Sequence, residues 1–150
     1  METTTRYIEP GWFTAHVFNP LVRVLTRLGI SVRGARELSV VGRRSGAVRR
    51  VVVNLLEVDG QRYLVAPRGN TQWVRNVRAA GQAELRVGRH VDTVTPVELA
   101  DAAKPTIIRE YLRKWKAEVG MFFEGIDEHA SDDEILAIAP GFPVFALAAA

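Results

Sequence analysis

The chain of 150 residues contains no cysteine. Disulfides, thiolate nucleophiles and zinc–thiolate centres are therefore excluded. Histidine is scarce as well. His16, His90 and His129 lie far apart, and none falls in the paired spacing of a helix-borne metal site, so no metal is expected. The chain has no G-x-x-x-x-G-K-[ST] phosphate loop and no G-x-G-x-x-G dinucleotide fingerprint. Ser45 sits in "RRSGA" rather than in a G-x-S-x-G elbow, and no hydrolytic nucleophile is implied. Long apolar runs are missing too. The most apolar early stretch, "WFTAHVFNPLVRVLTRLG", is interrupted by His16, Asn19, Pro20, Arg23 and Arg27, whereas a membrane span needs about 20 apolar residues. No basic leader followed by an apolar run is visible, so a cytoplasmic protein is expected. What is present, 47% hydrophobic and 25% charged residues, is ordinary for a globular chain, and the length suits one domain over 1–150, with 1–32 as a helical extension.

Lysine is rare where positive charge is densest. The formal net charge is only +3, but residues 33–78 carry +7 against −5 for residues 79–150, and all ten cations of the central segment are arginine. Arginine offers a planar fork matched to phosphate and carboxylate oxygens. Local positive charge in a nearly neutral chain points to an anionic ligand. Aromatic interleaving in the basic stretch is limited to Tyr63 and Trp73, which argues against nucleic acid as the partner.

Periodicity places the elements. Asn19-Pro20 is a helix start, and Leu21, Val22, Leu25 and Leu28 form an apolar stripe ended by Gly29. A second short helix is expected over 12–18. There Trp12, Phe13 and Phe18 either cap the core or form a surface for lipid or a partner, with peripheral membrane contact over 12–28 as the sharper reading. From Glu37 the pattern becomes strand-like: "ELSVVG", then "VRRVVVNLLEVDG" as one run, an Asp59-Gly60 turn, and "QRYLVAP". "NTQWVRNVRAAG" predicts a helix capped by Asn70 or Thr71 and ended by Gly81. "AELRVG" and "HVDTVTPVELA" are two more strands, the second weakened by Pro96. A helix with Ile107, Ile108, Tyr111, Leu112 and Trp115 on one side, a capping box at Ser131 and Glu134, and a last strand "GFPVFALA" complete the chain. Six or so antiparallel strands with a helix after the third predict an α+β protein, mainly β: a closed or partly closed barrel with flanking helices.

Three stretches carry the chemistry. The first is the turn "GRRSGAVR", with Arg43, Arg44, Ser45, Gly46, Ala47, Val48 and Arg49. The second is "VAPRGN", with Val65, Ala66, Pro67, Arg68 and Gly69. The third is "TQWVRN", with Gln72, Trp73, Val74, Arg75 and Asn76, at a helix N-terminus whose dipole favours anions. Each has a plain alternative: solvated hairpin arginines, a core tryptophan, a surface asparagine. If residues 61–67 pair with 48–58, the loop at 68–72 approaches the turn at 43–47 and the three stretches share one pocket.

These residues resemble the deazaflavin-dependent nitroreductase family. The likeness is carried by "LSVVGRRSGAVRR", "GQRYLVAPRGNTQWVRNVRAAGQAELRVG" and the closing "PGFPVFAL", about half of the chain. The resemblance implies an FMN-binding-like split β-barrel and an enzyme that uses coenzyme F420, a 5-deazaflavin with a phospholactyl-oligoglutamate tail. It implies that Arg43 to Arg49 hold the anionic tail, that Val65 to Gly69 flank the ring, and that Trp73 to Asn76 form a second wall, with Arg68 and Arg75 as additional cations. The expected reaction is hydride transfer between the deazaflavin and an apolar unsaturated or electron-poor small molecule. "RGNTQW" lacks the longer insertion of the nitroimidazole-reducing members, and 104–130 offers one tyrosine, Tyr111, with Trp115, Phe122 and Phe123. No catalytic residue is assigned; Tyr111 and His16 are candidate proton donors. FMN is the alternative cofactor, and a fatty-acid, lipid or cofactor carrier is the non-enzymatic alternative. A homodimer is expected by analogy with other split barrels.

Overall fold

Val- and Leu-rich runs separated by glycine turns form a sheet of seven antiparallel strands among the described residues of the computed structural model, which are 34–123 and 125–149. The expected helices at 12–18 and 19–29, the membrane-contact segment 12–28 and His16 lie outside them. The strands are β1 (Ala35–Val41), β2 (Val48–Asn54), β3 (Leu56–Val58), β4 (Gln61–Val65), β5 (Ala83–Val87), β6 (His90–Glu98) and β7 (Val144–Ala149). The helices are α1 (Gln72–Ala80), α2 (Pro105–Val119) and α3 (Asp132–Ile138).

The sheet order is β2-β1-β5-β6-β7-β4-β3. Its two edge strands, β2 and β3, are consecutive in the chain and separated by Leu55 alone. Edges joined by one residue must lie side by side, so the sheet curls into a barrel split at Leu55. This corrects the reading of 48–58 as one strand. β2 pairs with β1 over its whole length, whereas only residues 56–58 pair with β4. The other edge of β4 pairs with β7. A Val-rich run with no Gly or Pro gives no local sign of the break. The break is set by Gly34, whose carbonyl accepts from the Leu55 amide at 2.9 Å. Gly34 has φ +89, and a Cβ there would sit 3.2 Å from the Leu55 carbonyl oxygen and from the Trp115 ring. Few residues other than glycine tolerate both.

Alternation along the strands feeds two cores. Leu64, Phe145 and Leu147 point into the barrel with Leu38, Val40, Val53 and Leu85, while Tyr63, Val65 and Val144 face α2. α1 plugs the barrel with Trp73, Val74 and Val77, and Gly81 ends it in the left-handed conformation. Pro96 is paired to β7, in a part of β6 beyond the end of β5 pairing at Val94. One side of the strand is thus free of ladder bonds there.

The second core holds the expected face of α2, with Ile107, Ile108, Tyr111, Leu112 and Trp115 all buried. Phe123 stacks on Phe142 at 4.3 Å, and the Ser131–Glu134 capping box is formed. Lys104, 3% exposed, anchors the start of α2. Its Nζ donates to the Ala139 carbonyl at 2.9 Å and pairs with Asp101 at 2.7 Å.

Candidate functional site

The β1–β2 turn is built from its own backbone. The Gly42 amide donates to the Ala47 carbonyl at 2.7 Å, and the Gly46 amide to the Gly42 carbonyl at 2.9 Å. The Ser45 hydroxyl accepts from the Ala47 amide at 3.2 Å. Gly46 has φ +72, which favours glycine at that turn position.

Helix α1 docks onto this turn through Asn76 and Gln72. Asn76 is buried, and its Oδ1 accepts twice from Arg43, from the backbone amide at 3.1 Å and from the guanidinium at 2.8 Å. The same guanidinium donates to Gln72 Oε1 at 3.0 Å. Desolvation, with Arg44 and Arg75 nearby, holds the Arg43 guanidinium below its ordinary value. Arg43 and Asn76 therefore act as a clamp between the turn and the helix; of the expected 61–67/48–58 pairing only 61–63 with 56–58 forms, and the curl of the sheet brings turn and helix together. Replacing Asn76 by alanine is expected to cost about 1–2 kcal/mol, because it strips the acceptor from the Arg43 amide. Asn76→Asp keeps the acceptor and its stability but adds a negative charge to the site. Urea unfolding of both variants checks this.

Between the turn and the start of α1 lies a cavity of about 500 Å³. Arg43, Arg44, Ser45, Arg49, Arg68, Gln72, Trp73 and Asn76, all candidates from the sequence, line it. The turn arginines thus face a common cavity. Gly46, Ala47, Val48, Val65, Ala66, Pro67, Gly69, Val74 and Arg75 are not in its lining. Val65, Ala66 and Val74 are buried in the cores, and Val48 is half-exposed. Five further lining residues, Val40, Gly42, Arg50, Val51 and Thr71, were not among the candidates. Val40 and Val51 read as barrel-wall residues, and Thr71 as a helix cap. The cap reading is corrected: Thr71 occupies the N-cap position, but its side chain makes no capping bond.

The lining contains five arginines and no carboxylate, imidazole or phenol among the described residues. Arg50 pairs with the buried Glu37 at 3.8 Å. Neither Arg44 nor Arg49 has an acidic partner among the described residues. The floor is apolar, formed by Val40, Val51 and Trp73, whose indole lies 5.9 Å from the Phe145 ring. Donors around an apolar floor, with a positive excess and no competing acid, fit a flat ligand that carries several negative charges.

Tyr111 takes no part in the cavity. It is 2% exposed, in the second core, 5.1 Å from the Trp115 ring. Burial chiefly, tempered by a hydrogen bond with Asn54, raises its hydroxyl well above the ordinary 10.0. The unfolded chain then loses this proton first, so above about pH 10 the wild type should lose up to about 1.4 kcal/mol of stability per pH unit through this group. Tyr111→Phe should lack that component. Urea midpoints of both proteins between pH 8 and 11 test it.

A model of the F420H(2)-dependent quinone reductase family matches residues 23–122. The chain belongs to this family. It is an F420-dependent oxidoreductase, and coenzyme F420 is its cofactor. No match to a curated protein is found. Among solved structures, the chain is similar to Atu2129 of Agrobacterium tumefaciens, described as of unknown function, with 14% identity and a TM-score of 0.58 over 97% of this chain. The match spans 59% of that protein's length. An F420-H2 dependent reductase (FDR-A) aligns with 20% identity and a TM-score of 0.52, over 77% of this chain and 95% of its own. A structure described as a domain-swapped dimer aligns with 20% identity and a TM-score of 0.55, over 90% and 98%. At these identities the structural likeness establishes the fold. No helix among the described residues is long and apolar enough to cross a membrane.

Proposed function

We propose that the cavity between the β1–β2 turn and α1 is where this reductase holds its cofactor, and that its substrate is an apolar, electron-poor unsaturated molecule of the quinone class. One observation carries the reading: Arg44 and Arg49, without acidic partners among the described residues, line the same cavity as an apolar floor of Val40, Val51 and Trp73. A ligand with a charged tail and a flat ring uses both parts, and one without a tail leaves the arginines uncompensated. When bound, the reduced deazaflavin supplies the hydride.

The protein's own contribution is binding and orientation. Arg44 and Arg49 neutralise the tail. The Arg43–Asn76 clamp fixes the turn that carries them. Val40, Val51 and Trp73 exclude water from the face where substrate lies against the ring. Among the described residues the lining offers no carboxylic acid, imidazole or phenol; of the two candidate proton donors, Tyr111 is buried in the second core and His16 lies outside the described residues.

Titration of the purified protein with F420, followed by fluorescence, tests the cofactor site. Affinity tighter than about 10 μM is expected for a ligand held by several charge-assisted bonds. Mixing reduced F420 with a soluble quinone then tests the substrate class through the return of cofactor fluorescence. Binding without turnover on any quinone would leave the cofactor site standing and remove the quinone.

We extend the proposal to assembly as a homodimer, supported by the domain-swapped dimer among the similar structures and read out by light scattering. Peripheral membrane contact through residues 12–28 rests on Trp12, Phe13 and Phe18. Equal sedimentation with liposomes of chains with and without residues 1–30 would remove it.

A further inference from the structure

Among the described residues, the Thr71 hydroxyl is buried without a hydrogen-bond partner. Thr71 is also a lining residue of the cavity. Thr71 is 5% exposed and stands at the N-cap of the nine-residue α1 with extended backbone, φ −70 and ψ 174. A threonine so placed ordinarily accepts from an amide of the first helical turn. Here it does not, and the hydroxyl is left both desolvated and unpaired.

An unpaired buried hydroxyl destabilises the free protein, and such groups in native structures call for a partner outside the chain. The first-turn amides of α1 have no carbonyl four residues back within the helix, and they add positive potential at the same spot. The missing partner is therefore an acceptor oxygen.

The exposure of the lining residues tells which oxygen. Arg44, Arg49 and Arg50 are exposed, whereas Thr71, Trp73 and Val40 are buried. A charged tail belongs at the exposed arginine rim, and a flat ring belongs at the buried apolar end. We propose that Thr71 is a ring-holding residue of this reductase, its O–H donating to a carbonyl oxygen on the pyrimidine edge of the deazaflavin. The proposal rests on the cofactor reading of the cavity. It gives Thr71 a binding role in place of the capping role its position suggests.

The test compares wild type, Thr71→Val and Thr71→Ser against two ligands: F420, and the deazaflavin chromophore without its phosphorylated tail. Valine keeps the shape and removes the hydroxyl. Thr71→Val is expected to weaken both ligands by about five- to twentyfold, and Thr71→Ser to stay within about twofold of wild type. Without ligand, Thr71→Val should melt at the wild-type temperature or above it, since it removes a buried polar group that has no partner. Weaker binding together with unchanged or higher stability is a pattern that a capping role does not produce.

Equal affinity of wild type and Thr71→Val for both ligands would overturn the proposal. So would a loss confined to the tailed cofactor, which would move the contact to the tail, or a lower melting temperature of ligand-free Thr71→Val, which would make the hydroxyl structural. Failure of wild type to bind F420 at all is a separate outcome. It would remove the cofactor reading itself, and the Thr71 assignment with it.

Discussion

Replacing Arg44 and Arg49 together by alanine is expected to weaken F420 binding by about two orders of magnitude. Both guanidiniums line the cavity and neither has an acidic partner among the described residues. Charge-assisted hydrogen bonds are worth about 1.5–3 kcal/mol when desolvated. These side chains are exposed, so solvent screening lowers that to about 1–2 kcal/mol each. Two such losses correspond to roughly a hundredfold in Kd. The effect should shrink as salt rises, because the tail charges are then screened in wild type as well. Ligand-free stability should hold or increase, since the double variant removes like charges from a lining that carries five arginines. Fluorescence titration at two ionic strengths, with thermal melts beside it, reads all three consequences. Unchanged affinity at low salt would place the tail elsewhere.

Lys104→Ala is expected to be the most damaging single change to stability, at about 3 kcal/mol. A buried ammonium is costly to desolvate, and its two bonds, to Asp101 and to the Ala139 carbonyl, offset that cost. Removing the lysine strands a carboxylate at the start of α2 and a carbonyl in the turn before β7. Lys104→Met should recover only the packing of the stem, because the methionine fills the volume without satisfying either oxygen. Equilibrium urea unfolding separates the two variants. F420 affinity, measured where both remain folded, should not move, since Lys104 is not in the cavity lining.

Local chemistry was legible from the chain alone wherever one residue type suffices. Asp59 and Gly60, at φ +50 and +79, form the tight turn that their identities announce. Gly81 ends α1, and Ser131 with Glu134 caps α3. The buried face of α2 followed from its spacing. The arginine turn and the start of the Trp73 helix stood out as candidates because glycines, guanidiniums and a helix N-terminus occur close together in the chain, and the structure brings them to one cavity.

Other features needed partners distant in sequence. The break at Leu55 is invisible in a run of valines and leucines, because it depends on where the Gly34 carbonyl lies once the sheet has curled. Thr71 looks like any N-cap until the fold buries its hydroxyl and leaves it unpaired. Arg43 and Asn76 are 33 positions apart, and only their contact shows that this arginine positions the turn.

The sequence by itself determined the family and the split barrel with its helices, since these rest on residue type and short-range spacing, and it singled out the arginine turn as a candidate anion site. The tertiary structure decided which arginines lack an acidic partner among the described residues, that Tyr111 belongs to a core, and that the Thr71 hydroxyl is buried without a partner. Burial and pairing are properties of groups brought together from far apart in the chain, and only closure of the barrel brings them together.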